Sequence, residues 1–391
     1  MVSYKLGVLA SHPIQYQAPL FRELAKRCEL RVYFAHRQTA EGQAQAGFGV
    51  AFDWDVDLLG GYPSELLDNR ARRPDVGRFG GCDTPGIGTK IRDGGFDAFL
   101  VMGWYLKSYW QAVRACRRWG VPVLVRGDSQ LGTPRGGLKR RVKALVYPRL
   151  LAQFDAHLYV GQRNRDYLRY YGVPADRLYF SPHFVDNRWF AERVRQSDRT
   201  QVRAGLGVGP AERLVLFVGK LIEKKRPLDL VQALALLKHR GRGARGVFVG
   251  AGPLEDAVGE GIARAGAPAE VIGFRNQSAL PALYAAADVL VLPSDGGETW
   301  GLVVNEALAC GTPVVVSDAV GCAPDLVAEG ITGAAYPVGD VQALADAIEK
   351  VLACPPAPGE IQERLAAYSP QAAADGVMQA MRDLRRAGAT P

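Results

Sequence analysis

The chain has 391 residues, with 48% hydrophobic and 23% charged positions, an ordinary globular composition that excludes a disordered, collagen-like or fibrous protein and suggests about two or three domains. Its net charge of +8 is uneven: residues 1–200 carry 31 Lys and Arg against 19 Asp and Glu, residues 201–391 carry 17 against 21. The basic half suits an acidic ligand or an anionic membrane surface, while the lack of zinc-finger spacing, RNP-type aromatics or basic-zipper heptads argues against nucleic acid.

Met1–Ala10 reads as a first strand, Leu6–Ala10, without the apolar region and cleavage site of a secretory leader. No apolar run approaches the ~18 residues of a membrane span. Further strands are predicted at Leu30–Phe34, Ala98–Met102, Val121–Arg126 and Ala156–Val160, with helices such as Gln17–Arg27 and Lys107–Trp119 between them. Val50–Leu59 alternates like a strand. Arg135–Phe154 holds six cations, no acid, and apolar Leu138, Val142, Leu145, Val146, Leu150 and Leu151. An ordinary surface helix and an amphipathic face touching anionic lipid both fit that stretch. Val173–Phe190 reads as loop or linker.

A second, cleaner series follows. It runs strand Leu214–Val218, helix Pro227–Arg240, strand Gly246–Gly250, helix Pro253–Ala265, strand Val271–Gly273 and helix Ser278–Ala287. Strand Val289–Pro293, helix Leu302–Cys310, strand Pro313–Ser317 and helix Asp340–Ala353 complete it before a Pro-rich break at residues 354–358. Short apolar strands alternating with helices predict an α/β protein with two parallel sheets and a ligand cleft at the carboxyl ends of the strands. Six scattered cysteines with no C-x-x-C pair read as free thiols of a reducing cytoplasm, not a zinc site.

Chemistry concentrates in two places. From Pro293 to Gly311 a strand ends at Pro293, a Gly-rich loop carries Glu298, and a helix opens near Gly301. The amides of Gly301, Leu302 and Val303 would suit a phosphate. Glu306, one turn on, would repel a phosphate but fits a polyol such as ribose. The Glu-x7-Glu spacing is weak by itself, and two solvated carboxylates near a helix start are the alternative. From Gly219 to Pro227 four cations, Lys220, Lys224, Lys225 and Arg226, fall within seven positions. They suit a diphosphate; a solvated lysine loop is the alternative.

Together these residues resemble the family 4 retaining glycosyltransferases of the GT-B fold. Gly219-Lys220-Leu221…Lys225 is similar to that family's Gly-Arg-Leu…Lys, and Gly250-Ala251-Gly252-Pro253 to its Gly-x-Gly-Pro. Gly273-Phe274 matches the base-contact site, Leu280 through Asp288 the Leu-Pro-x-Leu-Tyr-x-x-Ala-Asp run, and Glu298 and Glu306 the paired glutamates. Ser181-Pro182-His183-Phe184-Val185-Asp186 looks like Pro-Asn-Gly-Val-Asp with His183 and Phe184 in place of Asn-Gly. The resemblance implies two Rossmann-like domains, an acceptor domain over 1–185 and a donor domain over 186–368, with a final helix in 369–391 packing back on the first. It implies a cytoplasmic enzyme, peripheral at the inner membrane face if the lipid reading of Arg135–Phe154 holds. The enzyme would move a sugar with retention from a UDP-, GDP- or ADP-sugar to a sugar or lipid-linked acceptor, with no cofactor or metal. Lys220 and Lys225, beside Gly219, would bind the diphosphate and Phe274 would flank the base. Glu298, with the amides after Trp300, would hold the donor sugar, and Glu306 the ribose. Ser294 is carried with this donor set.

The amino-terminal half departs from the family's pattern. Ser11-His12-Pro13-Ile14-Gln15-Tyr16-Gln17 stands where a Gly-Gly-rich loop is usual, and Arg126-Gly127-Asp128-Ser129 where many members place a histidine. Asp128 is the first candidate for orienting the acceptor and His12 the second. A loop or cap role for Asp128 and a packing role for His12 are the alternatives. Asp55-Val56-Asp57 resembles the metal-binding Asp-x-Asp of GT-A enzymes, but strand-like alternation explains it and no metal role is assigned. A GT-B epimerase or phosphorylase, or a non-catalytic nucleotide-sugar-binding module, are the rival functions.

Overall fold

A computed structural model describes residues 4–44, 49–133 and 136–388. The apolar runs of the first half form β1 Lys5–Ala10, β2 Glu29–Phe34, β3 Ser64–Leu66, β4 Ala98–Val101, β5 Val123–Gly127, β6 Ala156–Tyr159 and β7 Leu178–Phe180. They make one parallel sheet in the order β3-β2-β1-β4-β5-β6-β7. The second half forms β8 Arg213–Val218, β9 Ala244–Val249, β10 Ala269–Val271, β11 Val289–Leu292, β12 Val314–Ser317 and β13 Gly333–Tyr336, also parallel, in the order β10-β9-β8-β11-β12-β13. The central strands β11 and β12 are buried along their whole length. Helices cover both faces, so these strands read as unbroken Val/Leu runs instead of an alternation. All six cysteines are free.

Helix Pro370–Gly388 returns to the first sheet, adding Ala373, Ala374, Val377, Met378 and Met381 to its core. The approach is close: a Cβ on Gly376 would lie 1.9 Å from the Phe180 carbonyl oxygen, so only glycine fits there. The Ser181 hydroxyl donates to the Ala373 carbonyl at 3.0 Å beside it.

Several expected elements change. The strand expected at Val271–Gly273 lies at Ala269–Val271, which frees Gly273 and Phe274 as loop beyond its carboxyl end. Val50–Leu59 forms no strand. Asp57 caps a turn there, accepting from the Leu59 and Gly60 amides at 3.1 and 2.9 Å, and a turn breaks the alternation. The expected linker Val173–Phe190 contains β7 and the start of helix Asn187–Arg195, whose Asp186 cap accepts from the Trp189 amide at 3.0 Å. In the basic stretch, helix Gly137–Leu151 is present, while Arg135 and the Leu138 side chain lie outside the described residues, as do the last three residues of the chain.

Candidate active site

The loops after β8, β9 and β10 meet at the cleft. A Cβ on Gly250 would fall 1.9 Å from the Gly219 carbonyl oxygen, so Gly250-Ala251-Gly252-Pro253 lets the β8 and β9 loops touch backbone to backbone. They wall a slot lined by Gly219, Lys220, Gly250, Phe274, Val303 and Glu306 from the second half and by Gln15 and Trp54 from the first. Phe274 is packed on Phe52, ring centroids 4.4 Å apart. Three bonds fasten this edge of the cleft: the Asn276 side-chain amide donates to the Asp53 carbonyl at 2.7 Å, and the Ser278 hydroxyl and backbone amide donate to the Asp55 carboxylate. Asp55 is thus a bridge between the halves and not a strand's solvent-facing residue.

Beside the slot, Lys225 Nζ lies 2.5 Å from Glu298 Oε2, both side chains only 12–13% exposed. Burial pushes the Glu298 carboxyl up, but Lys225 and Lys224 more than offset it and hold it below the usual range. Burial, then Lys224 and Lys225, lowers the Lys220 ammonium while Glu298 opposes the shift. Helix Leu302–Ala309 opens after Gly301, and the first amides of a helix have no partner within it. Its Glu306 is buried, takes the Tyr284 hydroxyl at 2.6 Å and the Gln277 amide at 3.4 Å, and is raised by burial against the pull of both donors. Ser294 is fully buried and does not line the slot; its carbonyl accepts from the Ser317 hydroxyl.

On the facing side, Asp128 follows β5 deep in the cleft, although about half its side-chain surface, 48%, stays open. Its Oδ2 accepts from the Thr299 hydroxyl at 2.7 Å, next to Glu298 in sequence, and stands 3.9 Å from His183 Nε2, just beyond hydrogen-bond reach. Burial raises the Asp128 carboxyl, but His183 and Thr299 pull it down to about 2. The His183 ring is enclosed by Tyr16 and Trp300, with centroids 6.2 and 5.3 Å away; burial holds it below the ordinary imidazole value, against Asp128. Gln130 adds bonds to the Gly296 and Glu298 carbonyls at 3.1 and 3.0 Å. His12 lies after β1, its Nδ1 3.0 Å from the Ser11 hydroxyl, and burial with His36 nearby lowers its imidazole to about 4.

The structure therefore gathers Gly219, Lys220, Lys225, Phe274, Glu298, Val303 and Glu306 around one slot and sets Asp128 across from Glu298. His183, Thr299, Gln15 and Trp54 belong to the same cleft but carry no sequence signal of their own. The one hint was His183 standing where a smaller residue is usual.

Two family models match the chain, one described as a Glycosyl transferase 4-like domain over residues 13–182 and one as Glycosyl transferases group 1 over residues 198–383. The D-inositol 3-phosphate glycosyltransferase of Segniliparus rotundus is 31% identical over 317 residues, covering 74% of this chain and 65% of that protein. Its Actinosynnema mirum counterpart is 31% identical over 265 residues, 62% of this chain and 61% of the relative. The chain thus matches under two thirds of either relative's length. Among solved structures, sucrose-phosphate synthase from Thermosynechococcus elongatus aligns with TM-score 0.71 at 20% identity, covering 98% of this chain and all of that one. Anabaena Alr3699/HepE in complex with UDP aligns with TM-score 0.73 at 17% identity, over 98% of this chain and 100% of that chain. At such identities the likeness is one of fold.

Proposed function

Since the chain belongs to the family 4 glycosyltransferases of the GT-B fold, we propose that it moves a sugar from a nucleoside diphosphate to an acceptor hydroxyl, with retention and without a metal. The observation that most supports this is the buried Lys225–Glu298 pair at the edge of a slot that also holds Lys220, Phe274 and Glu306. Uridine is the first nucleotide to test, because HepE has been solved with UDP and with UDP-glucose. Phe274 flanks the base and Glu306 the ribose. Lys220 and Lys225, with the amides of Gly301, Leu302 and Val303, hold the diphosphate, and Glu298 holds the donor sugar.

In the reaction the acceptor oxygen bonds to the anomeric carbon as the bond from that carbon to the diphosphate oxygen breaks. The electron pair leaves with the diphosphate, where fixed cations and helix amides stabilise the developing charge. The acceptor proton passes to an oxygen of the same leaving phosphate, on the face being attacked. Asp128, held by the Thr299 hydroxyl with His183 3.9 Å away, orients the acceptor, and His12, after β1, is the second candidate for that role.

The test is titration with UDP, GDP and ADP, then turnover of the matching sugar nucleotide with and without candidate acceptors. Nucleotide release that requires an acceptor, giving a product with the donor's anomeric configuration, supports the reading. Release without acceptor points to an epimerase, dependence on inorganic phosphate to a phosphorylase, and tight binding with no turnover to a binding module.

A further inference from the structure

The middle of helix Gly137–Leu151 reverses the usual pattern of a surface helix, although its last residue, Leu151, is buried in the first core. Its Lys143 is buried, 9% exposed, with the ammonium 4.3, 4.6 and 5.4 Å from the ring centroids of Tyr147, Tyr167 and Tyr171. Three aromatic faces compensate the lost hydration of that cation. Meanwhile Val142, Leu145 and Val146 point outward at 55%, 69% and 46% exposure. A helix that merely covers its sheet buries its Val and Leu and leaves its Lys in water.

The surroundings are cationic. Arg141 and Arg149 are exposed on the same helix, and residues 135–154 contain no acid. At the helix's far end a groove is lined by Phe79, Trp110, Arg114 and Leu150 among others, with Phe79 59% exposed. Among the described residues Arg114, Arg141 and Arg149 form no ion pair with a carboxylate. A protein partner of ordinary composition would bring both signs of charge. A surface of outward aliphatics with uncompensated arginines complements a sheet of lipid phosphates over an apolar interior.

We infer that this face rests on an anionic lipid bilayer, with Val142, Leu145 and Val146 entering the headgroup boundary and Arg141 and Arg149 meeting phosphates. The contact is made by side chains at the headgroup boundary, and no helix among the described residues is long and apolar enough to cross a membrane. It does not depend on the chemistry of transfer. The helix is the element that follows Asp128 and β5 in the chain; if glycosyl transfer holds as well, the contact assigns the acceptor to the lipid-linked class.

The experiment is co-sedimentation of the full chain with phosphatidylcholine vesicles, with and without about 30% phosphatidylglycerol, at low and high salt. Binding should need the anionic lipid and be released by salt, since screening shortens the reach of the arginines. Val142→Glu with Leu145→Glu, and separately Arg141→Glu with Arg149→Glu, should each weaken vesicle binding roughly tenfold or more. Nucleotide titration and melting temperature should stay unchanged, which keeps loss of folding apart from loss of the contact. Equal pelleting with neutral vesicles, no pelleting at all, or variants that bind like the parent would overturn the inference. So would a concentration-dependent dimer that the Leu145 variant abolishes, because a second copy would then be what covers the helix. Vesicle binding without sugar transfer would leave the inference standing and remove only the proposed reaction.

Discussion

The two sheets share one strand order. β3-β2-β1-β4-β5-β6 and β10-β9-β8-β11-β12-β13 are the same winding, with β7 added at the edge of the first. Their cleft loops nevertheless do different things. In the second half both glutamates of the site find partners within that half: Lys225 from the β8 loop meets Glu298 from the β11 loop, and Glu306 takes Gln277 and Tyr284. In the first half Asp128 finds its partners elsewhere, in Thr299 of the other half and His183 of the linker. A common winding decides where a ligand can sit, whereas the loops decide what is held there. One wall of the cleft is built before the halves meet, and the other is completed only by their meeting.

The strongest way to break this contrast is to remove the matched pair. Lys225→Ala should slow transfer by about 10²–10³, as the leaving diphosphate loses a fixed cation. Glu298→Ala should depress kcat comparably while titrated nucleoside diphosphate still binds. Loss of nucleotide binding in Glu298→Ala, with retention in Glu306→Ala, would reverse the placement of base and sugar along the slot. Wild-type turnover of Lys225→Ala at limiting donor would return the cation cluster to a solvated loop.

Next in size is the wall that depends on closure. Asp128→Asn should cost about 10–10² in kcat if the carboxylate orients the acceptor. The pH profile gives a second reading. A carboxyl held at about 2 stays ionised until strong acid, so it sets no acid limb near neutrality. His183→Asn removes the largest of the influences that pull it down, so its pKa rises and activity is lost at a higher pH as the medium is acidified. Tyr16, Tyr105, Arg126 and Glu298 also face this group and are unchanged in the variant. A limb that stays in place, with the same kcat, would leave Asp128 a structural bridge to Thr299.

Glu306 tests the self-contained wall more gently. Ribose contacts are nearly equal in ground and transition states, so Glu306→Gln should raise donor KM more than it lowers kcat. The measurement is steady-state kinetics at saturating acceptor.

How much of this was legible in the sequence follows the same division. The strands β8, β9, β11 and β12 of the second half are largely buried and read as apolar runs, whereas the half-buried β10 was expected two residues late and β13, Gly-Ala-Ala-Tyr, gave no apolar run. Its site residues cluster in two short segments, so Lys220, Lys225, Glu298 and Glu306 stood out. Of the residues expected at the slot, Gly219, Lys220, Phe274, Val303 and Glu306 line it, Lys225 and Glu298 stand beside it, Gly301 and Leu302 do not line it, and Ser294 is buried away from it. In the first half the three-residue β3 and β7 lack enough residues for a period. Asp128, His183 and Thr299 are remote in sequence, so no spacing links them. Trp54 and Gln15 reach the slot only because the halves close over it. The buried cation of helix Gly137–Leu151 was invisible for a related reason: composition announces six cations and several aliphatics, but not which of them face inward.

The smallest effect belongs to the bridge at the far edge of the cleft. Asp55 accepts from the Ser278 amide at 3.1 Å and from its hydroxyl, at an exposed position. An exposed bond of this kind contributes about 0.5–1.5 kcal/mol, which corresponds to roughly two- to tenfold in an equilibrium constant. Asp55→Ala should therefore raise donor KM within that range by loosening the segment that brings Trp54 over the slot, and leave kcat near its starting value. Ser278→Ala should reproduce only part of the change, because it removes the hydroxyl bond and keeps the amide bond, and the double variant should add little to Asp55→Ala, which already removes both. Chelation separates this role from metal binding. If Asp55 and Asp57 bridge and cap, turnover in EDTA equals turnover without it for the parent and both variants alike. If EDTA abolished activity, manganese restored it, and Asp55→Ala raised the manganese needed, the aspartates would be ligands and the edge of the cleft a metal site.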